Sequence, residues 1–112
     1  MSIDILSLFL FEVLMRENEY QALLIKRINA LLPGCTVLKN DPNYIQGIPD
    51  LLILYKDRWA ILEVKKSKDD PHRPNQDYYI DKFREWVYSS FIFPENEEEV
   101  LDELQRALEP GR

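Results

Sequence analysis

The chain has 112 residues, 46% of them hydrophobic and 30% charged, which allows one globular domain with a two- or three-layer core and no more. A single cysteine, Cys35, excludes an intramolecular disulfide, fits a reducing cytoplasmic setting and reads as a small buried residue. The net charge of −6 does not exclude a nucleic-acid ligand, because residues 95–109 carry seven acids and one base whereas residues 1–94 carry thirteen acids and twelve bases.

Met1 to Leu14 is apolar but lacks the basic start and small-residue cleavage site of a signal peptide. Asp4 and Glu12 bracket a run far shorter than the roughly 20 residues of a membrane span. This segment is expected to pack on its own core or on a second copy of the chain, and no membrane association is expected. From Asn18, read as an N-cap, Tyr20, Leu23, Leu24, Arg27, Ile28 and Leu31 recur at helical steps, and Pro33-Gly34 ends the helix. Thr36 to Leu38 reads as a short strand closed by the turn-rich Asn40-Asp41-Pro42-Asn43. Leu51 to Tyr55 and Trp59 to Val64 are two strands around a Lys56-Asp57 turn, apolar on both faces as in a central sheet covered by helices. A helix from about Pro74 to Trp86, a strand from Tyr88 to Phe93 and an amphipathic helix from Glu97 to Leu108 complete the chain. This order predicts an α/β sandwich with a mixed sheet flanked by helices.

Chemistry concentrates between Gly47-Ile48-Pro49-Asp50 and Glu63-Val64-Lys65. With Lys56 and Asp57 as the central turn residues, Leu51 faces Leu62, Ile53 faces Ala60 and Asp50 faces Glu63. Cβ atoms of opposed residues lie about 4.5–5.5 Å apart, so the two carboxylates repel unless a positive group joins them. Alternation puts Lys65 on the same face as Glu63. Hard oxygen ligands at this spacing suit a divalent cation such as magnesium, which can polarise a phosphodiester and acidify a bound water. Lys65 is suited to orient that water or to neutralise charge on the phosphate. Taken one at a time, each of these residues reads first as a solvated strand-end charge. Together they extend the apolar run Trp59-Ala60-Ile61-Leu62, where charges need partners.

Pro49-Asp50, a hairpin and Glu63-Val64-Lys65 together resemble the signature of the PD-(D/E)xK nuclease superfamily. Gly47-Ile48-Pro49-Asp50-Leu51-Leu52 is similar to the G-(I/V)-P-D segment of its VRR-NUC branch. Gln76, after Pro74-Asn75, matches that branch's downstream glutamine. Glu19 takes the place of the superfamily's helical acid, with Glu17 and Glu12 as competitors. The resemblance covers residues 17 to about 93 and implies a restriction-endonuclease-like core, preceded by the apolar segment 1–16 and followed by the acidic helix 94–112. It implies that Asp50, Glu63 and the Val64 carbonyl bind Mg2+, with Mn2+ able to substitute, that Lys65 acts on the attacking water, and that Glu19 and Gln76 assist. The implied activity is that of a DNA endonuclease. Small stand-alone members of the phage type act on branched DNA, such as Holliday junctions or flaps, as homodimers. A non-catalytic DNA-binding or interaction module with the same fold is the alternative, and a restriction enzyme reading base sequence is disfavoured by the short chain.

Lys39, Lys66, Lys68 and Arg73 are expected at the DNA surface, although an exposed basic loop is equally read as solvated charge. His72, the single histidine, lacks companions for a zinc site. Trp59 and Trp86 are read as core residues. Tyr44, Tyr78 and Tyr79 lie beside basic residues, where aromatics can stack on unpaired bases.

Overall fold

A computed structural model describes residues 16–111. The apolar segment at the N-terminus, and with it the expected dimer contact, lies outside the described residues. The elements are α1 (Glu17–Leu31), β1 (Thr36–Lys39), β2 (Leu51–Tyr55), β3 (Arg58–Val64), α2 (Pro74–Arg84), β4 (Tyr88–Ile92) and α3 (Glu97–Leu108). The strands form one mixed sheet in the order β1-β2-β3-β4. β1 and β3 run antiparallel to β2, whereas β4 is parallel to β3 and reached through α2. The expected α/β architecture is present. The hairpin takes the predicted register, Leu51 opposite Leu62 and Ile53 opposite Ala60. Lys56 turns the chain in the left-handed region, at φ 55°.

Alternation along β2 and β3 divides the sheet into two unlike faces. Leu51, Ile53, Tyr55, Ala60, Leu62 and Val64 point to one side, where Leu24 and Ile28 from α1, Leu32 at its C-cap, and Val100, Leu104 and Leu108 from α3 complete the main core. The other side is shielded by α2, whose buried Ile80 faces the sheet. There the hydroxyl of Ser89 in β4 donates to the Ile80 carbonyl at 2.8 Å and ties helix to strand. Among the described residues no helix is long and apolar enough to cross a membrane.

Three expectations need correction. Helix α1 begins at Glu17 and not after an Asn18 cap. Arg16 is extended, and its carbonyl accepts the Tyr20 N–H at 3.0 Å, so Glu17 lies in the first turn. β2 is not covered on both faces along its length, since α2 lies over β3 and β4 and leaves Leu54 38% exposed. Trp86 is 61% exposed, because α2 ends two residues before it and its face turns away from the sheet. Trp59 is half-buried, edge-on to Phe83. Cys35 is half-buried against the core.

One carboxylate joins α1 to α3. Glu97 accepts the Tyr20 hydroxyl at 2.8 Å and takes two bonds of 2.7 Å from Arg27. Removing it leaves a buried phenol and a guanidinium without their acceptor. Glu97→Ala is expected to destabilise the fold by about 2 kcal/mol, measured as a lowered midpoint of thermal unfolding. An unchanged midpoint would mean that this network contributes nothing.

Candidate metal centre and active site

The strand register carries Asp50 and Glu63 to one end of the hairpin, on the face covered by α2. Asp50 lies just before β2, and its Oδ2 accepts the Val64 N–H at 2.9 Å. Asn40 fixes this approach from the edge strand: its N–H donates to the Asp50 carbonyl and its side-chain amide to the Pro49 carbonyl, both at 2.8 Å. Glu63 is only 2% exposed and Lys65 only 5%. The Lys65 ammonium donates to Gln76 Oε1 at 2.7 Å and to the Pro71 carbonyl at 3.1 Å. Gln76 Nε2 donates to Glu63 Oε2 at 2.9 Å, and Gln76 Oε1 also accepts the Arg73 N–H at 3.0 Å. One amide thus holds both the acid and the base of the motif.

The third carboxylate comes from α1. Oxygens of Glu17, Asp50 and Glu63 all lie within 4.8 Å of one another. Glu19, the helical acid expected from the motif, does not join them; it pairs with Arg16 at 3.0 Å on the exposed side. The reason is helical phase. Glu17 lies three residues before Tyr20 and continues the buried stripe Tyr20, Leu24, Ile28 toward the sheet, whereas Glu19 is turned away from that stripe. That stripe was the available signal. Asn40 had no comparable signal, because its role depends on where the loop after it returns.

Like charges and burial act together here. Burial first, then Asp50 and Glu17, push the Glu63 carboxyl up to about 8 against the opposing charge of Lys65. Burial also raises Asp50, outweighing the Val64 N–H, and it raises Glu17, with Asp50 as the next cause. Glu63 Oε1 is buried and accepts no hydrogen bond. A buried oxygen without a donor, among three carboxylates from three elements, is what a hard divalent cation satisfies. The residues therefore fit a metal.

A cleft of about 710 Å³ opens onto Asp50 and Glu63, bounded by Asn43 and Gln46 on one side and by Arg73 and Asn75 on the other. Gly47 sets its width. At φ +87°, its backbone approaches α2 so closely that a Cβ would lie 2.3 Å from the Asn75 Cβ. Arg73 lines this cleft, and Lys66 and Lys68 are exposed on the loop before α2. Lys39 pairs with Leu51 in the sheet, so it falls on the face opposite Asp50 and does not join the cleft. His72 stacks on Phe91 at 3.8 Å and bonds Asp77 at 3.1 Å.

No family model and no curated protein matches the chain. A solved structure does: a chain described as a VRR_NUC domain is similar at 27% identity, with a TM-score of 0.60 over 79% of this chain and 91% of that one. The chain has a VRR-NUC-like nuclease fold, the recognition that Gly47-Ile48-Pro49-Asp50 and Glu63-Val64-Lys65 had suggested.

Two measurements probe this geometry. Between the ordinary carboxylate range and about 8, folded Glu63 keeps a proton that the unfolded chain has lost, so metal-free stability falls as pH rises through that window. Mg2+ or Mn2+ should therefore raise the unfolding midpoint more at pH 8 than at pH 5, and Glu63→Gln should remove most of that gain; an equal gain in the variant would contradict the assignment. Gly47→Ala combines left-handed strain with the Asn75 clash and should cost about 1–3 kcal/mol more than Gly34→Ala, where a Cβ at φ +91° meets nothing within 4 Å. Equal midpoints for the two variants would show that the close approach is not limiting.

Proposed function

From this nuclease-like fold, we propose that the chain is a divalent-metal-dependent endonuclease that hydrolyses phosphodiester bonds in DNA. One observation carries the reading: three carboxylates converge on an unsatisfied buried oxygen, with a buried lysine beside them and an open cleft in front. Glu17, Asp50, Glu63 and the Val64 carbonyl would hold Mg2+, with Mn2+ as a substitute. The Val64 N–H faces Asp50, and the carbonyl of a strand residue points to the same side as its N–H. Bound there, the cation would supply charge to the scissile phosphate and acidify a water.

The remaining roles belong to the chain itself. Lys65, fixed by Gln76 and Pro71, orients the attacking water and offsets charge on the phosphate. Gln76 is a positioning residue, because it holds Glu63 and Lys65 without facing the reacting bond itself. Arg73, Lys66 and Lys68 meet backbone phosphates along the cleft. The preferred substrate is branched DNA, a Holliday junction or a flap. A homodimer would supply one active site for each strand. A binding module without catalysis has no use for three mutually repelling carboxylates, so the non-catalytic alternative is not favoured.

Incubation with Holliday-junction, flap and linear duplex DNA tests the proposal. Cleavage should require Mg2+ or Mn2+ and stop with chelator. Lys65→Ala should lose about a hundredfold or more in rate. Glu17→Gln should be impaired far more than Glu19→Gln. Cleavage that survives the chelator, or that is indifferent to Lys65→Ala, would overturn the proposal.

A further inference from the structure

Helix α2 carries an aromatic stripe that the cleavage chemistry does not use. Tyr78, Lys82 and Trp86 follow one another at four-residue steps and are all exposed. Their rings interlock with those beside them. Tyr78 meets Tyr79 edge-on at 5.0 Å, Tyr79 stacks on Phe83 at 6.0 Å, and Phe83 meets Trp86 edge-on at 5.7 Å. The Lys82 ammonium lies 5.9 Å from the Tyr78 and Trp86 rings and 6.0 Å from that of Tyr79. Among the described residues no carboxylate pairs with it. The nearby acids are turned aside: Asp77 bonds His72 and Asp81 pairs with Arg84. Glu85 borders the far end.

Position decides what this stripe meets. It starts beside Asn75, which lines the catalytic cleft, and continues along the helix away from Glu63. From Asn75 to Trp86 the helix and its last turn advance about 16 Å, the length of roughly four or five stacked nucleotides at 3.4 Å each. Tyr44, 85% exposed, lines a smaller pocket beside this helix together with Phe83. Tyr78 and Trp86, 58% and 61% exposed, offer ring surface to bases of any sequence, and the Lys82 ammonium between them accepts a phosphate. A single DNA strand supplies both partners at once, bases for the rings and a phosphate for the ammonium between them.

We propose that the Tyr78–Lys82–Trp86 stripe binds an unpaired DNA strand and leads it into the cleft, so that the substrate is DNA with a single-stranded arm at the cleavage point. This rests on the endonuclease reading and narrows it from branched DNA in general to DNA with unpaired bases beside the scissile bond.

The test uses the full chain in chelator, where nothing is cut, with a labelled twelve-nucleotide oligothymidine and a blunt duplex of equal length, followed by anisotropy. The single strand should bind more tightly than the duplex and quench Trp86 fluorescence. Tyr78→Ala with Trp86→Ala should weaken single-strand binding roughly tenfold or more, and the Phe variants should restore it. Lys82→Gln should reduce the slope of log affinity against log salt by about 0.7. Circular dichroism establishes that each variant folds, and an unfolded alanine pair leaves the decision to Lys82→Gln and the Phe variants. Equal affinity for both DNAs, unaffected by the stripe variants, would overturn the inference. So would stripe variants that change sedimentation mass and not DNA affinity, since the face would then join copies of the chain. Binding through the stripe by a chain that cuts nothing in Mg2+ would overturn the endonuclease reading and leave the stripe. Cleavage of arm-bearing and fully paired DNA at equal rates, unchanged in the stripe variants, would overturn the stripe alone.

Discussion

Mutual repulsion among Glu17, Asp50 and Glu63 is the constraint around which this end of the molecule is built. With oxygens of all three within 4.8 Å of one another, Asp50 and Glu17 raise the proton affinity of Glu63, Asp50 raises that of Glu17, and the charges oppose the packing that brings them together. They stay together because each is held by a different element. The hairpin register holds Glu63 beside Asp50, Asn40 braces the Pro49-Asp50 backbone from the edge strand, and α1 brings Glu17 from the far side of the core. The small remaining freedom is removed by Gln76, which ties Glu63 to Lys65.

That arrangement explains how so short a chain combines a stable core with a charged site. The α1/α3 side of the sheet holds the main apolar core, and its packing compensates for the cost of the other side. The α2 side divides along its length. Near Ile80 it is a second, smaller core, and at the N-terminus of α2 it becomes the site. α2 therefore divides its tasks between two faces: Gln76 and Ile80, one turn apart, organise the motif and pack on the sheet, while Tyr78 and Lys82, continued by Trp86 just past the helix end, are left toward solvent. The glycine at position 47 makes this possible, since any larger residue would push the loop and the helix apart.

Much of this was legible in the sequence, and the limits have physical causes. Turn length and strand alternation are local, so the Lys56-Asp57 turn was enough to place Asp50, Glu63 and Lys65 together. The amphipathic stripe of α3 likewise predicted its bounds. Asn18 resembled a cap and so hid the two helical residues before Glu19, and it is Glu17 that the helix brings to Asp50 and Glu63. Following the apolar stripe backward from Tyr20 points to Glu17. Trp86 was misread because size and hydrophobicity do not reveal where a helix stops. Asn40 and the Gly47–Asn75 approach depend on tertiary return of the eleven-residue loop 40–50, which no local pattern encodes.

The central claim is that these three carboxylates form a divalent-cation site, and it can be examined without any substrate. Anomalous diffraction from crystals of the chain soaked in Mn2+ locates the cation directly. The account predicts one strong peak bounded by Glu17, Asp50 and Glu63, within bonding distance of Glu63 Oε1 and the Val64 carbonyl. A peak held by Glu19, or full manganese occupancy elsewhere with none at Glu63, would contradict it.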